Sequence, residues 1–364
     1  MYGTRPGRSM LERLWETPLP PSRWPLWLPL APAAAIFTAV TSVRNRWWRG
    51  RARAAGLPVI SVGNLTVGGS GKTPFTLFLA ASLMRQGFAV GIVSRGWGRA
   101  DTHASLVSDG TRVLLSPREA GDEPVMMAKR FAGPIAVARR RLEAITLLTT
   151  RFKLDAVILD DGFQHVRLRR DLDLVMVGTS QRLNNWPLPA GPMRERPRAI
   201  RRADAVIMID SERKRAKSLQ DYARWRGRPL FRASIRPRAL IHEESGHWTE
   251  TALALNGMRV VAVSGLANPR AFHQMLEGCG ADVRDTLDYP DHHDYGPADW
   301  ENILDAANGS DALITTEKDL VKLERFSPGR VPMYALRLQV EMESYDEMRL
   351  FETVIARIRD TRRF

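Results

Sequence analysis

Apolar positions in this chain recur as short aliphatic runs set between longer mixed stretches. From residue 57 onward the runs at 58–62, 89–94, 135–138, 156–159, 172–177 and 205–209 each read as a strand, with helix-length segments between several of them. Unbroken aliphatic runs suit strands buried on both faces, and crossovers of helical length join strands that run parallel. The pattern predicts an α/β fold with a mainly parallel sheet. It resumes after the Arg/Pro-rich stretch 226–238, with a strand at 260–263, a helix at 269–277, a strand at 312–315 and a final helix at 345–357. A boundary at 240/241 therefore separates a domain over 51–240 from a smaller C-terminal α/β domain over 241–364.

The first fifty residues follow a different pattern. Residues 24–43 carry no charge, yet Pro25, Pro29 and Pro32 leave only 33–48 as good helix, too short to cross a bilayer comfortably. Arg44, Arg46, Trp47, Trp48 and Arg49 at its end suit a headgroup zone, where indole rings anchor and guanidinium groups meet lipid phosphates. The expectation is a membrane-associated segment over 1–50 whose helix lies in the interface; a helix packed on the protein body is the alternative. Glu12, Glu16 and several prolines ahead of the apolar stretch argue against a cleavable signal peptide.

Composition narrows the partner. A hydrophobic fraction of 44% over 364 residues supports an ordered core, and the single cysteine, Cys279, excludes an intrachain disulfide and a Cys-based zinc site. Lys and Arg number 54 against 40 Asp and Glu, and residues 182–240 hold 16 of the former against 5 of the latter. Such a surplus favours a phosphate-bearing partner: nucleic acid, anionic lipid or a phosphorylated substrate.

The sharpest chemical signal is Thr66-Val67-Gly68-Gly69-Ser70-Gly71-Lys72-Thr73, lying between the first strand and an apolar run over 75–83. A strand, a glycine-rich turn and a helix N-terminus in this order cradle phosphates with backbone N–H groups. Lys72 then reaches the β/γ-phosphates and the Thr73 hydroxyl reaches Mg²⁺. Thr66 stands where the usual first glycine would be. The chain is expected to use ATP or GTP. Asp160 and Asp161 directly follow the run 156–159, where a phosphate-loop protein holds Mg²⁺ directly or through water.

Three further clusters leave alternatives open. Asp122, in Gly-Asp-Glu-Pro over 121–124, caps a helix, touches Mg²⁺ or accepts a proton from an acceptor hydroxyl. His292 and His293, among acids in Tyr-Pro-Asp-His-His-Asp-Tyr over 289–295, read as a carboxylate-tuned base, metal ligands or loop histidines. Thr-Thr-Glu-Lys-Asp over 315–319 follows a strand, where ligand contacts occur, but Thr315 or Thr316 there equally starts a helix.

Taken in order, SVGNLTVGGSGKTP (61–74), SRGWGR (94–99), GDEP (121–124), DDGFQH (160–165), LPAGPMRE (188–195), SGLANP (264–269), YPDHHDY (289–295) and TTEKD (315–319) resemble the tetraacyldisaccharide 4'-kinase family of lipid A synthesis. The resemblance implies ATP-dependent phosphorylation of the 4'-hydroxyl of tetraacyldisaccharide 1-phosphate, giving lipid IVA, at the cytoplasmic face of a bacterial inner membrane. It implies a membrane-embedded lipid and an anionic membrane surface as partners, with no nucleic acid expected. By resemblance Lys72 steadies ATP, and Thr73, Asp160 and Asp161 arrange Mg²⁺ and the reaction centre, with Glu123 supporting the metal. Asp122 accepts the hydroxyl proton, paired with His292 or His293, while Arg194 and Glu195 meet the substrate. Asn184-Asn185-Trp186 departs from a more glycine-rich family segment.

Two other classes are weighed against it. A phosphate-loop GTPase or metal chaperone lacks a guanine-selective Asn-Lys-x-Asp here, for which Thr316-Glu317-Lys318-Asp319 is an imperfect substitute. A basic nucleic-acid-binding module has the charge but no zinc-finger or RNA-recognition signature.

Overall fold

A computed structural model describes residues 15, 24–99, 101–178, 186–209, 227–326 and 331–361. Residues 184–185 of the departing segment, residues 210–226 of the basic region 182–240 and most of the first 23 residues lie outside that set. The chain forms two compact units, one built on Gly96–Arg139 with Arg236–Gln339, the other on the described residues within 7–95, 140–235 and 340–361. Residues 96–139, which the sequence pattern groups with the phosphate loop, thus cluster with the C-terminal region.

The unit that carries the phosphate loop is a parallel sheet. Its strands are β1 (Val59–Asn64), β2 (Val90–Ser94), β5 (Ala156–Asp160), β6 (Leu172–Gly178), β7 (Ala205–Ile209) and the start of β8 (Leu230–Glu244). They lie in the order β2-β5-β1-β6-β7-β8, every neighbour parallel. All six predicted runs are strands within two residues of their expected ends, five of them in this unit and the run at 135–138 as β4 (Pro134–Val137) of the other. Every residue of β1, β2 and β5 is buried, as unbroken aliphatic runs require. Crossover helices α3 (Lys72–Arg85) and α6 (Arg141–Arg151) bury Phe75, Leu79 and Leu83, and Ala144, Ile145 and Leu148. The C-terminal helix α10 (Ser344–Thr361) buries Leu350, Phe351, Val354 and Ile358.

In the other unit β10 (Arg259–Gly265) is central, with β11 (Asp282–Tyr289) on one side and β12 (Ala312–Thr316) then β13 (Met333–Met342) on the other, all parallel. Alternate residues of β10 feed two cores. Val260 and Ala262 pack with Phe272 and Leu276 of α7 (Pro269–Gly278), and Val261 and Val263 with Trp300 and Ile303 of α8 (Pro297–Ala307). Two antiparallel pairs complete it: β3 (Ser105–Asp109) with β4 (Pro134–Val137), and the end of β8 with β9 (His247–Ala252). The short helices α4 (Pro117–Ala120) and α5 (Asp122–Ala128) follow β3, and α5 packs on α9 (Glu317–Leu323). Ion pairs of Lys129 with Glu324 at 2.7 Å, and of Arg130 and Arg337 with Glu317 at 2.8 and 3.0 Å, bind the end of α5 to α9 and β13.

The N-terminal segment forms a turn of helix, α1 (Trp24–Trp27), and then α2 (Leu30–Trp48). The long helix starts three residues before the expected position, because Pro32 sits in its first turn, where the missing N–H has no intrahelical partner to lose. Ala34 and Thr38 are buried, Phe37, Thr41, Asn45 and Trp48 half-buried, while Ile36, Val40, Val43 and Trp47 are exposed at spacings of four, three and four. The side toward the protein mixes small and polar residues with Phe37 and Trp48, while a stripe of four large apolar residues faces outward, where a helix merely packed on a core would carry polar ones. Among the described residues no helix is long and apolar enough to cross a membrane.

Candidate functional site

The phosphate loop leaves the C-terminal end of β1, where ligands of open parallel sheets collect. Gly68 and Gly71 adopt φ of 94° and 73°, which favours glycine at both, and a Cβ on Gly71 would also push aside Ile235 Cδ1, 2.1 Å away. Thr66 instead bridges antiparallel to Met193 with an ordinary negative φ, so a side chain is tolerated where the usual pattern has glycine. Segment 188–195 braces the loop further, with Val67 N–H donating to Pro192 O at 2.9 Å and Arg194 N–H to Leu65 O at 2.7 Å. Helix α3 opens at Lys72 with no side-chain cap, leaving first-turn N–H groups for an anion, and the buried Ser70 Oγ has no protein partner. These features fit a polyphosphate.

Asp160 and Asp161 diverge at the end of β5. Asp160 is buried and accepts a hydrogen bond from Thr76 Oγ1 at 3.2 Å. Asp161 takes a left-handed φ of 52°, uncommon outside glycine, and lies 3.7 Å from Lys72 Nζ. Arg194 Nη1 donates to both of its oxygens at 2.9 and 2.7 Å. Burial opposes ionisation of Asp161, but Lys72, Arg194 and Arg141 outweigh it and hold the carboxyl below its usual range. Thr73, half-buried in the first turn of α3, and the two aspartates are hard oxygen donors of the kind Mg²⁺ takes together with phosphate oxygens. Burial lowers Arg141 to about 10 against the pull of Asp161, and burial together with the nearby arginines lowers His165 to about 4.

Arg194 and Glu195 do not pair with each other. Glu195 is 5% exposed and receives Arg202 on both oxygens at 2.7 and 2.9 Å, with Asn45 Nδ2 of α2 at 2.6 Å. Trp27 Nε1 donates to Ala190 O at 2.8 Å, so segment 188–195 is tied to the N-terminal helices at both ends.

In the other unit Asp122 opens α5 behind Gly121, where a Cβ would lie 2.8 Å from Trp97 O. Asp122 is buried and accepts the Glu123 N–H at 2.9 Å; Glu123 itself is half-buried. His292 Nδ1 stands 3.0 Å from both Asp122 oxygens, and Lys322 Nζ is 3.5 Å from Oδ2. Burial works against the charged carboxyl, yet His292, Lys318 and Lys322 hold Asp122 below its usual range, and the hydrogen bond to Asp122 raises His292 against its own desolvation.

The adjacent histidines separate. His293 stacks on Tyr289 at 4.8 Å between ring centroids, meets Tyr295 edge-on, and places Nε2 3.0 Å from Asp299. His292 alone adopts a positive φ, 62°. Each imidazole serves its own carboxylate, and among the described residues no group of three or more His, Cys, Asp or Glu gathers for a metal ion. Thr316 caps α9 by accepting the Asp319 N–H, and Thr315 donates to Val263 O at 2.8 Å, so the threonines of TTEKD are structural while its Lys318 pairs with Asp291. A cavity of about 660 Å³ opens beside Asp122, His292 and Lys322, with Val113, Val125 and Val321 among its apolar walls. Lys322 was not singled out in sequence, although Lys318 and Lys322 at i and i+4 share one face of any helix begun at Thr316.

A family model described as tetraacyldisaccharide-1-P 4'-kinase matches residues 26–359. The tetraacyldisaccharide 4'-kinase of Anaeromyxobacter dehalogenans (strain 2CP-C) is 41% identical over 330 residues, 87% of this chain and 86% of that protein. The protein of the same name from Syntrophus aciditrophicus (strain SB) is 36% identical, over 92% and 95% of the two chains. The crystal structure of the "apo" form of LpxK from Aquifex aeolicus in complex with ATP superposes with a TM-score of 0.74 at 31% identity, covering 92% of this chain and 99% of that one.

Proposed function

The chain belongs to the tetraacyldisaccharide 4'-kinase family, and from that premise we propose that it transfers the γ-phosphoryl group of ATP to the 4'-hydroxyl of tetraacyldisaccharide 1-phosphate, forming lipid IVA. The observation that carries the nucleotide half is the loop at 66–73, with its unpartnered Ser70 hydroxyl and uncapped helix N-terminus. Lys72 and Arg194, which share Asp161, present donors to the phosphate oxygens as charge moves during transfer. Thr73, Asp160 and Asp161 would hold Mg²⁺, which when bound would neutralise part of that charge.

The proton of the acceptor hydroxyl passes to the Asp122–His292 pair. Asp122 fixes the imidazole through Nδ1, and the raised basicity of His292 suits it to hold the proton. Arg194 acts on substrate oxygens, whereas Glu195 acts through Arg202 and Asn45 to keep segment 188–195 in place. The outward stripe Ile36, Val40, Val43 and Trp47, with Arg44, Arg46 and Arg49 around its C-terminal end, rests on an anionic bilayer at the cytoplasmic face of the inner membrane, where the lipid acceptor resides.

Detergent-solubilised protein incubated with Mg²⁺, γ-labelled ATP and tetraacyldisaccharide 1-phosphate is expected to label the lipid, and Lys72→Ala to abolish that label. ATP hydrolysis with no label in the lipid would sink the assignment.

A further inference from the structure

Lys322 lies in the last turn of α9 between the apolar residues Val321 and Leu323, and it is itself 6% exposed. Burying a lysine this deeply is unfavourable unless its charge is met. Here it is met from three sides. Nζ is 3.1 Å from Asp319 Oδ1, donates to His293 O at 2.9 Å, and lies 3.5 Å from Asp122 Oδ2 on a carboxylate whose oxygens also face His292. The ring of Tyr295 closes the site at 5.2 Å. One turn earlier Lys318 pairs with Asp291. The two lysines of one helix face therefore grip the 291–293 segment from either side of His292, the residue held at a positive φ that only over-determined surroundings maintain.

Packing alone does not call for a lysine. A methionine would fill the same space, but the carboxylate of Asp319 is fully buried, and it already takes the Gly265 N–H at 2.9 Å and the Thr316 hydroxyl at 2.7 Å on its other oxygen. Asp319 anchors the ammonium, and the ammonium in turn reaches Asp122.

We propose that Lys322 is a positioning residue for phosphoryl transfer, its ammonium holding the Asp122 carboxylate and the backbone beside His292 in one fixed arrangement. The inference rests on the reading of Asp122 and His292 as the proton-accepting pair. Its test compares full-length Lys322→Met, Lys322→Arg and the double variant Lys322→Met with Asp319→Asn, each assayed below its melting midpoint for kcat, KM for ATP and lipid phosphorylation. The double variant removes the ammonium without stranding the Asp319 charge, so it folds even where Lys322→Met does not. Its kcat is expected to fall at least about tenfold with KM for ATP unchanged, because a displaced proton acceptor slows the transfer step and not nucleotide binding. Lys322→Arg, which restores the charge, is expected to regain part of that loss. A folded double variant with the parent's kcat overturns the proposal. Parental kcat in an Asp122→Asn control overturns the reading of the pair itself, and this inference with it.

Discussion

Two neighbouring histidines with different surroundings make the residue scale decisive. His292 →Ala is expected to lower kcat by about 10²-fold or more, as loss of a proton acceptor does, with little change in melting midpoint. His293→Ala is expected to lower the melting midpoint instead, since each aromatic pair it makes is worth about 0.5–1.5 kcal/mol. The reverse pattern in kinetics and thermal scans would transfer the role to His293. His165 gives a pH prediction. Burial holds its folded-state value at about 4 against an ordinary 6.5, so the unfolded chain binds the proton first as pH falls. The stability contributed by neutral His165 is complete above 6.5 and drains away as pH drops toward 4. An NMR titration in which this imidazole protonates above pH 6 would contradict its burial. Adjacent letters in a sequence show that two histidines exist, but their partners, Asp122 and Asp299, are set by which loops meet.

At the scale of elements, the aliphatic runs located the buried strands well, because a strand covered on both faces leaves no polar position to interrupt it. The half-exposed antiparallel strands β3 and β9 and the polar-edged β11 have mixed burial and produce no such run. Helix α2 begins three residues before the start the prolines suggest, because Pro32 sits harmlessly in its first turn. Its outward stripe makes a prediction. Val40→Asp with Val43→Asp is expected to weaken binding to phosphatidylglycerol vesicles by at least about tenfold, because these two exposed aliphatic side chains would each gain about 1.5–3 kcal/mol on entering the bilayer. The same variant is expected to bind Mg²⁺·ATP like the parent. Vesicle sedimentation with unchanged binding would show that the stripe faces water.

For the whole molecule, nucleotide binding should appear as stability. Mg²⁺·ATP at a hundred times its Kd stabilises the folded state by about 2.7 kcal/mol, and Lys72→Ala is expected to lose most of that gain in a thermal scan. Chelation of Mg²⁺ is expected to abolish lipid labelling, and label persisting in excess chelator would remove the metal from the reaction. The α/β class, the glycine-rich loop after β1, the carboxylates following β5 and the existence of a helix in the N-terminal segment were legible in the chain alone, because each depends on residues close in sequence: a run of aliphatics, a glycine turn, an uncharged stretch past its prolines. What only the tertiary structure decided are pairings across long separations. Asp122 meets His292 and Lys322, Glu195 turns from Arg194 to Arg202 and Asn45, and residues 96–139 cluster with 236–339. Local pattern reports which face of an element is apolar, whereas the partner of a buried charge is chosen by whichever distant segment brings the opposite charge within about 3 Å, where desolvation penalises every unmatched arrangement.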